Sequence, residues 1–413
     1  MNKPTRCVNL DWLEVYAHEP LTEERDPDYF RSQGFVVRER EYGTRVYEQM
    51  FTLEDRDGHP FIEVRRKPKS EVIDMNSCHI RLHNRTCYLN DAANIMKEFL
   101  SRYGITFVRI SRVDICLDFE YFDSGDDPQK FLVRYLNGVY SKINQANISA
   151  HGTDRWDRRD WNSLSWGSPT SDIGTKMYNK TLELFDPITQ SYKKPYIRQA
   201  WQACGLIHDW QYCTKVKPDG TVYKPAIWRV EFSIRSSVKG WFVINPDGKE
   251  RKLHSIRNTL DMYDERSKLL VMFFSLARHY FHFKYYQEGQ RKDRCRDKVI
   301  FIPGDIEYFY KIDKAQVACD HSADRRYNAL LVALQRYRET CTDQDVRKSC
   351  TKLIDYISKS ISAMEMGANV SPQELSIWHY AAEMVFGGDD RAFPTILNEV
   401  RTKLKLHRDV GYF

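Results

Sequence analysis

Three separated segments of this chain alternate apolar and polar side chains residue by residue, a pattern that restricts the fold sharply. Arg109 to Phe119 sets Val113, Ile115, Leu117 and Phe119 on one side and Arg112, Asp114, Cys116 and Asp118 on the other. Ile227 to Arg235 sets Trp228, Val230, Phe232 and Ile234 against Arg229, Glu231, Ser233 and Arg235. Lys176-Met177-Tyr178-Asn179-Lys180 alternates too, after the turn-rich stretch Ser168-Pro169-Thr170-Ser171-Asp172. In a strand, residues i and i+2 share a face. Each segment therefore predicts a strand with one oily face and one face of acids, bases or a phenol. Tyr178 and Lys180 are expected to point the same way, with Lys176 beside them.

A phenol between two ammonium groups has two readings. In one, Tyr178 is an ordinary strand aromatic and the lysines are solvated. In the other it is a nucleophile. A free tyrosine ionises near pH 10, so making the phenolate at neutral pH costs roughly 4 kcal/mol, and adjacent positive charge lowers that cost. A tyrosinate can form a covalent intermediate. The converging carboxylates are hard oxygen ligands of the kind Mg²⁺ or Mn²⁺ accepts. Four strand residues span about 13 Å, so Asp114 and Asp118 cannot both ligate one ion on a regular strand. Asp114 with Glu231 is the preferred pair. Asp118 is left to ligate separately, to hold a lysine, or to stand behind a ligand.

The order R-x-D-x-x-x-D, then S-D with Y-N-K-x-x-E, then W-R-x-E resembles the replication initiation factor family. Its members are rolling-circle initiators of Gram-positive plasmids, with relatives among conjugative-element relaxases and filamentous-phage replication proteins. The resemblance spans about Leu10 to Arg235 and implies Tyr178 as the nucleophile that cuts one DNA strand. It places Lys180 and Glu183 beside the nucleophile, and Asp114, Asp118 and Glu231 on the acidic positions. Lys176 stands where the family usually has arginine, which keeps the charge but not a bidentate phosphate contact. The resemblance further implies a 5′-phosphotyrosine and a free 3′-hydroxyl that a polymerase extends. The cations on the polar faces, Arg112, Lys176, Arg229 and Arg235, are expected to meet backbone phosphate. The substrate is then expected to be single-stranded or locally unpaired DNA.

Around these segments the chain reads as α+β: a mixed or antiparallel sheet with helices on one face, followed by an all-helical segment. Residues 1–250 are read as the strand-transfer domain, 251–304 as a helical and basic-aromatic extension, and 305–413 as an all-α domain. Strands are expected at Leu10–Ala17, Thr44–Thr52 and Pro60–Arg66, and helices at Asp91–Tyr103, Asp127–Tyr140 and Ile256–Tyr286. The stretch from Cys78 to Cys87 reads as a helix with zinc-like His79, His83 and Cys87, or as a strand whose basic face, with Arg81, meets phosphate. The strand reading is favoured. His151 to Trp161, with Arg155, Arg158 and Arg159, is a hairpin tip or a DNA-touching loop.

The chain has 413 residues, 42% hydrophobic and 29% charged, enough for a buried core in two or three domains. A net charge of +6 does not by itself announce nucleic acid. Ten cysteines lack a framework spacing, no apolar run suits a signal peptide, and none suits a membrane span. A cytoplasmic chain with reduced thiols is expected. There is no phosphate loop with lysine and no Gly-x-Ser-x-Gly elbow, which excludes those ATPase and hydrolase classes. Three readings stay beside replication initiation: a relaxase with the same chemistry, an origin-binding protein without nuclease activity, and an interaction module led by its helical C-terminus. That segment suits DNA, a host helicase or another subunit, a second copy of the chain included.

Overall fold

A computed structural model describes residues 5–69, 73–144, 146–154, 159–168, 171–185, 194–245, 252–285, 295–304, 306–313, 331 and 334–365. The strands in chain order begin with β1 (Arg6–His18), β2 (Val36–Glu39), β3 (Tyr47–Glu54), β4 (Pro60–Pro68), β5 (Ser77–Leu82) and β6 (Thr106–Phe119). They continue with β7 (Tyr140–Lys142), β8 (Ile148–Asp154), β9 (Arg159–Trp166), β10 (Ile173–Asn179), β11 (Lys215–Val216), β12 (Val222–Tyr223) and β13 (Trp228–Arg235). The last are β14 (Gly240–Ile244), β15 (Lys252–Arg257), β16 (Phe283–Tyr285), β17 (Arg296–Lys298) and β18 (Phe309–Ile312). The helices are α1 (Pro27–Ser32), α2 (Asn84–Cys87), α3 (Ala92–Arg102), α4 (Pro128–Leu136), α5 (Lys180–Phe185), α6 (Pro195–Ala203) and α7 (Arg266–Tyr280). The fold is α+β with a large antiparallel sheet and several helices.

The chain forms two compact units and enters each more than once. One comprises Met1–Glu14, Leu82–Phe99 and Arg112–Ile312. Its sheet runs β1-β6-β13-β10-β9-β8, and the pairings of β6 with β13, β13 with β10, β10 with β9 and β9 with β8 are antiparallel. The alternation read in the sequence is realised. Val113, Ile115, Leu117, Val230, Phe232, Ile234 and Met177 are buried on one face. Phe273 of α7 covers that face, its ring 5.2 Å from Phe232. Each such fully buried side chain contributes about 1.5–3 kcal/mol by leaving water.

The opposite face corrects the expectation of helices on one side only. Trp201 of α6 donates its indole N–H to Asp118 Oδ2 at 2.7 Å, so α6 lies over the polar side. Trp201 packs there with Leu184, Ile197, Leu206 and Ile227. A sheet face that carries a buried ion pair needs such a cover, and an amphipathic helix supplies it.

Ile256 to Tyr286 holds one helix, α7, shorter than the stretch read as helical. Strand β15 and a 3₁₀ turn at Leu260–Met262 precede α7, and β16 follows it. Asn258 accounts for the interruption: its side chain donates to Val238 O (3.1 Å) and accepts from Tyr263 Oη (2.7 Å), tying the backbone into a turn. Helix α4 stops at Leu136, short of Tyr140, because Gly138 takes the left-handed φ of +77° that ends helices. Its start matches the expectation, with Asp127 capping Lys130 N at 3.1 Å and Pro128 in the first turn.

The other unit comprises Val15–Arg81, Leu100–Ser111 and Asp313–Phe413. Strands β3 and β4 form the expected hairpin, with Asp55 Oδ1 accepting from Asp57 N and His59 N and Gly58 at φ +76°. Of the Cys78–Cys87 stretch, the part to Leu82 is strand β5, as favoured, and Asn84–Cys87 is the short helix α2; His79 is 1% exposed and presents no basic surface. Helix Gln344–Glu365 lies in the segment 305–413 read as all-α, but that segment also contains strand β18, paired with β14, so it is not all-helical. The candidate helices Ser371–Phe386 and Ala392–Leu406 lie outside the described residues. Among the described residues no helix is long and apolar enough to cross a membrane.

Candidate active site

Tyr178 is the penultimate residue of β10 and stands opposite Arg229 of β13. Its ring is half-buried. The hydroxyl donates to Glu231 Oε2 at 3.0 Å. Glu231 is two residues further along β13, on the same face.

Lys180 reaches the phenol by a different route from the one expected. The strand ends at Asn179, whose side-chain oxygen accepts from Leu182 N at 3.0 Å, and Lys180 opens helix α5. Asparagine competes well for such a capping place. Helix and strand are knitted together by Lys180 N to Ile227 O (2.8 Å) and Ile227 N to Thr181 Oγ1 (2.8 Å). Lys180 is 3% exposed, its Nζ lies 3.5 Å from Tyr178 Oη, and it forms an ion pair with Glu183. Lys176 is exposed and sits opposite Glu231.

The electrostatics reverse the expected sign at the phenol. Burial pushes the Tyr178 hydroxyl well above its ordinary ionisation, the Glu231 carboxylate adds to that, and Arg229 opposes it without prevailing. Glu231 is pushed up to about 7 by burial and by Asp114 and Asp11, against Arg229 and Lys180. Burial also raises Asp114, although Arg112 pulls it back. Burial alone would raise Asp11 as well, but Arg229 and Lys180 hold it at about 2.

Three expected roles do not survive the geometry. Arg229 is wholly buried and cannot meet a phosphate. Its Nε and Nη2 bond Asp118 Oδ1 (2.6 Å) and Oδ2 (2.7 Å), Nη1 bonds Asp11 (2.9 Å), and Nη2 bonds Tyr88 Oη (2.6 Å). Asp118 is 0% exposed, with both oxygens taken by Arg229 and Trp201, so it neither ligates an ion nor holds a lysine as it stands. Arg112 is also turned inward. It bonds both oxygens of Asp114 at 2.9 and 2.5 Å and lies 4.4 Å over the Trp12 ring. Arg235 stands opposite Arg112, half-buried, and among the described residues its Nε has no hydrogen-bond partner. Burial and Arg112 lower its proton affinity.

Arg81 belongs to the other unit and lies 3.9 Å from Glu63. Arg155 and Arg158 lie outside the described residues; Arg159 opens β9. Asp11, Tyr88 and Trp201 escaped the sequence reading. Asp11 alone left a signal, a charge inside the apolar Leu10–Ala17 run. Among the described residues no three His, Cys, Asp or Glu side chains are grouped as a ready metal-ligand set.

The pKa of Glu231 yields a stability prediction. Its folded value lies above the ordinary 4.5, so the neutral form is favoured by folding. That stabilisation is complete below pH 4.5 and disappears as pH rises through about 7. At about 1.4 kcal/mol per unit the ceiling is roughly 3.5 kcal/mol. Glu231→Gln should abolish this slope. Urea unfolding at a series of pH values should show the wild type losing stability relative to the variant between those limits. Parallel curves would exclude a raised Glu231.

No family model and no curated protein matches the chain. Among solved structures it is similar to a rolling circle replication initiator protein from Geobacillus stearothermophilus, at 12% identity, over 71% of this chain and 92% of that one, with a TM-score of 0.39. A likeness of that degree fixes neither fold nor activity.

Proposed function

We propose that this protein is a DNA strand transferase that opens one strand of an unpaired origin through Tyr178 and so initiates rolling-circle replication. What carries the reading is the Tyr178 Oη to Glu231 Oε2 hydrogen bond of 3.0 Å, with Lys180 Nζ 3.5 Å from the same oxygen. A nucleophile, a base in contact with it and a cation to neutralise charge are what phosphoryl transfer requires.

A resident phenolate is not the attacking species, because the site holds the phenol proton tightly. Glu231, at about 7, is partly ionised at neutral pH and able to accept that proton. As it does so, Tyr178 Oη bonds to phosphorus and the bond from phosphorus to the 3′-oxygen breaks. The 3′-oxygen takes a proton from water and leaves as a hydroxyl, while the 5′-phosphate stays on the tyrosine. Lys180, oriented by Glu183, stabilises the charge as it passes through Oη. The reverse reaction rejoins the strand. The phosphodiester energy is kept in the tyrosyl bond, so no ATP is needed.

The donor set fits a divalent cation such as Mg²⁺ or Mn²⁺. Glu231 and Asp114 are buried carboxylates that carry raised proton affinities, and Asp114 contributes to that of Glu231. Two carboxylates suffice where water and substrate phosphate supply the remaining positions. Asp114 and Glu231 Oε1 would hold it, Asp114 exchanging its bond to Arg112, which leaves Glu231 Oε2 to the phenol; the value of about 7 belongs to Glu231 without the ion. When bound, the ion would neutralise charge on the phosphoryl oxygens.

Of the cations on the polar strand faces, Arg235 and Lys176 are left to receive backbone phosphate. Arg235→Gln should lower DNA affinity without regard to sequence and reduce the slope of log affinity against log salt by about 0.7–1. An unchanged slope would remove Arg235 from the interface. The function itself is tested by mixing the protein with a single-stranded DNA library and Mn²⁺ or Mg²⁺, denaturing, and mapping any protein–DNA adduct. A phosphotyrosine at residue 178 is expected. No adduct with either ion, or one on another residue, refutes the reading.

A further inference from the structure

Away from Tyr178, β1, α6 and α7 bring two thiols and a guanidinium together. Cys7 is fully buried near the start of β1. Cys204 is the C-cap of α6 and is half-buried. Their Sγ atoms are 2.9 Å apart, in hydrogen-bond contact, and neither is in a disulfide. That is about 0.9 Å longer than an S–S bond. Arg266, the first residue of α7, donates from Nη2 to Cys204 Sγ, and the same nitrogen lies 3.5 Å from Cys7 Sγ. Asn9 Nδ2 donates to Cys7 Sγ at 3.1 Å.

We propose that Cys204 and Cys7 are an oxidant-reactive dithiol: Cys204 meets a hydroperoxide as thiolate, and Cys7 resolves the product into a Cys7–Cys204 disulfide. Packing alone explains two neighbouring thiols. It does not explain a guanidinium N–H directed at the more accessible sulfur, the arrangement that favours a thiolate. Contact with Cys7 Sγ and the Arg266 guanidinium hold Cys204 down at about 6, against burial and Asp118. The same contact and burial push Cys7 up, which keeps it protonated until it is needed.

The chemistry balances. The Cys204 thiolate attacks one peroxide oxygen, the O–O bond breaks, and hydroxide leaves, giving Cys204 sulfenic acid. The Cys7 sulfur then attacks the Cys204 sulfur, its proton and the sulfenic hydroxyl leaving as water. Two thiols are oxidised and one peroxide is reduced. The bond would tie β1 to α6 close to Asp11 and Trp201, which help to hold the Arg229–Asp118 pair.

The test treats full-length protein with hydrogen peroxide near neutral pH, then with iodoacetamide under denaturant. Peptide mapping should find Cys7 linked to Cys204, the protein lighter by two hydrogens, and the link reversed by a dithiol reductant. Cys204→Ser should give no linked pair and leave Cys7 alkylatable. Arg266→Gln should slow linkage about tenfold below neutral pH and raise the midpoint of Cys204 alkylation by about one unit. A link between other cysteines, sulfinic acid at Cys204 with Cys7 intact, or a rate unmoved by Arg266→Gln would overturn the proposal. The wild-type alkylation profile needs no substitution. A midpoint near the free-thiol value of about 8.5, rather than near 6, would overturn it as well.

Discussion

Tyr178→Phe is expected to eliminate the covalent protein–DNA adduct and to lower strand cleavage by at least about a thousandfold, the scale of losing a nucleophile. The substitution is narrow. It keeps the ring that Lys180 Nζ approaches to 5.3 Å and removes only the oxygen bonded to Glu231. DNA affinity and its salt dependence should therefore be unchanged. Denaturing gels of a nicking reaction, followed over time for both proteins, measure the ratio directly. Equal adduct from both would remove Tyr178 from the mechanism. Cleavage lost together with binding would show instead that the hydroxyl organises the site.

The second large effect concerns stability. Asp118→Ala should destabilise the protein by about 3–5 kcal/mol, because it strands a buried guanidinium. Arg229 is 0% exposed, and Asp118 supplies two of its contacts at 2.6 and 2.7 Å. Asp11 and Tyr88 remain to it, but neither replaces the paired oxygens. The double variant Asp118→Leu with Arg229→Met should lose less than Asp118→Ala, since no unpaired charge is then left inside. Urea unfolding of the three proteins at one pH ranks them. A single variant within about 1 kcal/mol of the wild type would mean that water reaches Arg229.

Much of this could be read from the residues themselves. Period-two alternation exposed β6, β10 and β13, since a strand with one buried face cannot slip by one residue without reversing all its side chains. It correctly put Tyr178 and Glu231 on polar faces. It could not show that these faces are covered. That depends on Trp201 reaching Asp118 across 83 positions of sequence, which no local pattern encodes. The same blindness made Arg229 look like a phosphate ligand: an arginine on a polar face reads alike whether solvent or a helix lies above it. Lys180 was misread for a local reason. The alternation continues through it, but Asn179 caps a helix there. Ile256 to Tyr286 was misread because apolar content resembles a helix, while Asn258 quietly breaks the run.

The interleaving of the chain has a consequence for how the molecule comes into being. The unit that carries Tyr178 takes segments from the first residues through Ile312. On a ribosome, β6 emerges long before its sheet partner β13, so that hydrogen-bonding edge waits exposed while roughly a hundred further residues are made. Contacts so distant in sequence form slowly and leave the nascent product open to mispairing. Neither unit can be excised as one continuous fragment, and a piece that keeps Tyr178 for laboratory use has to be trimmed with that in mind.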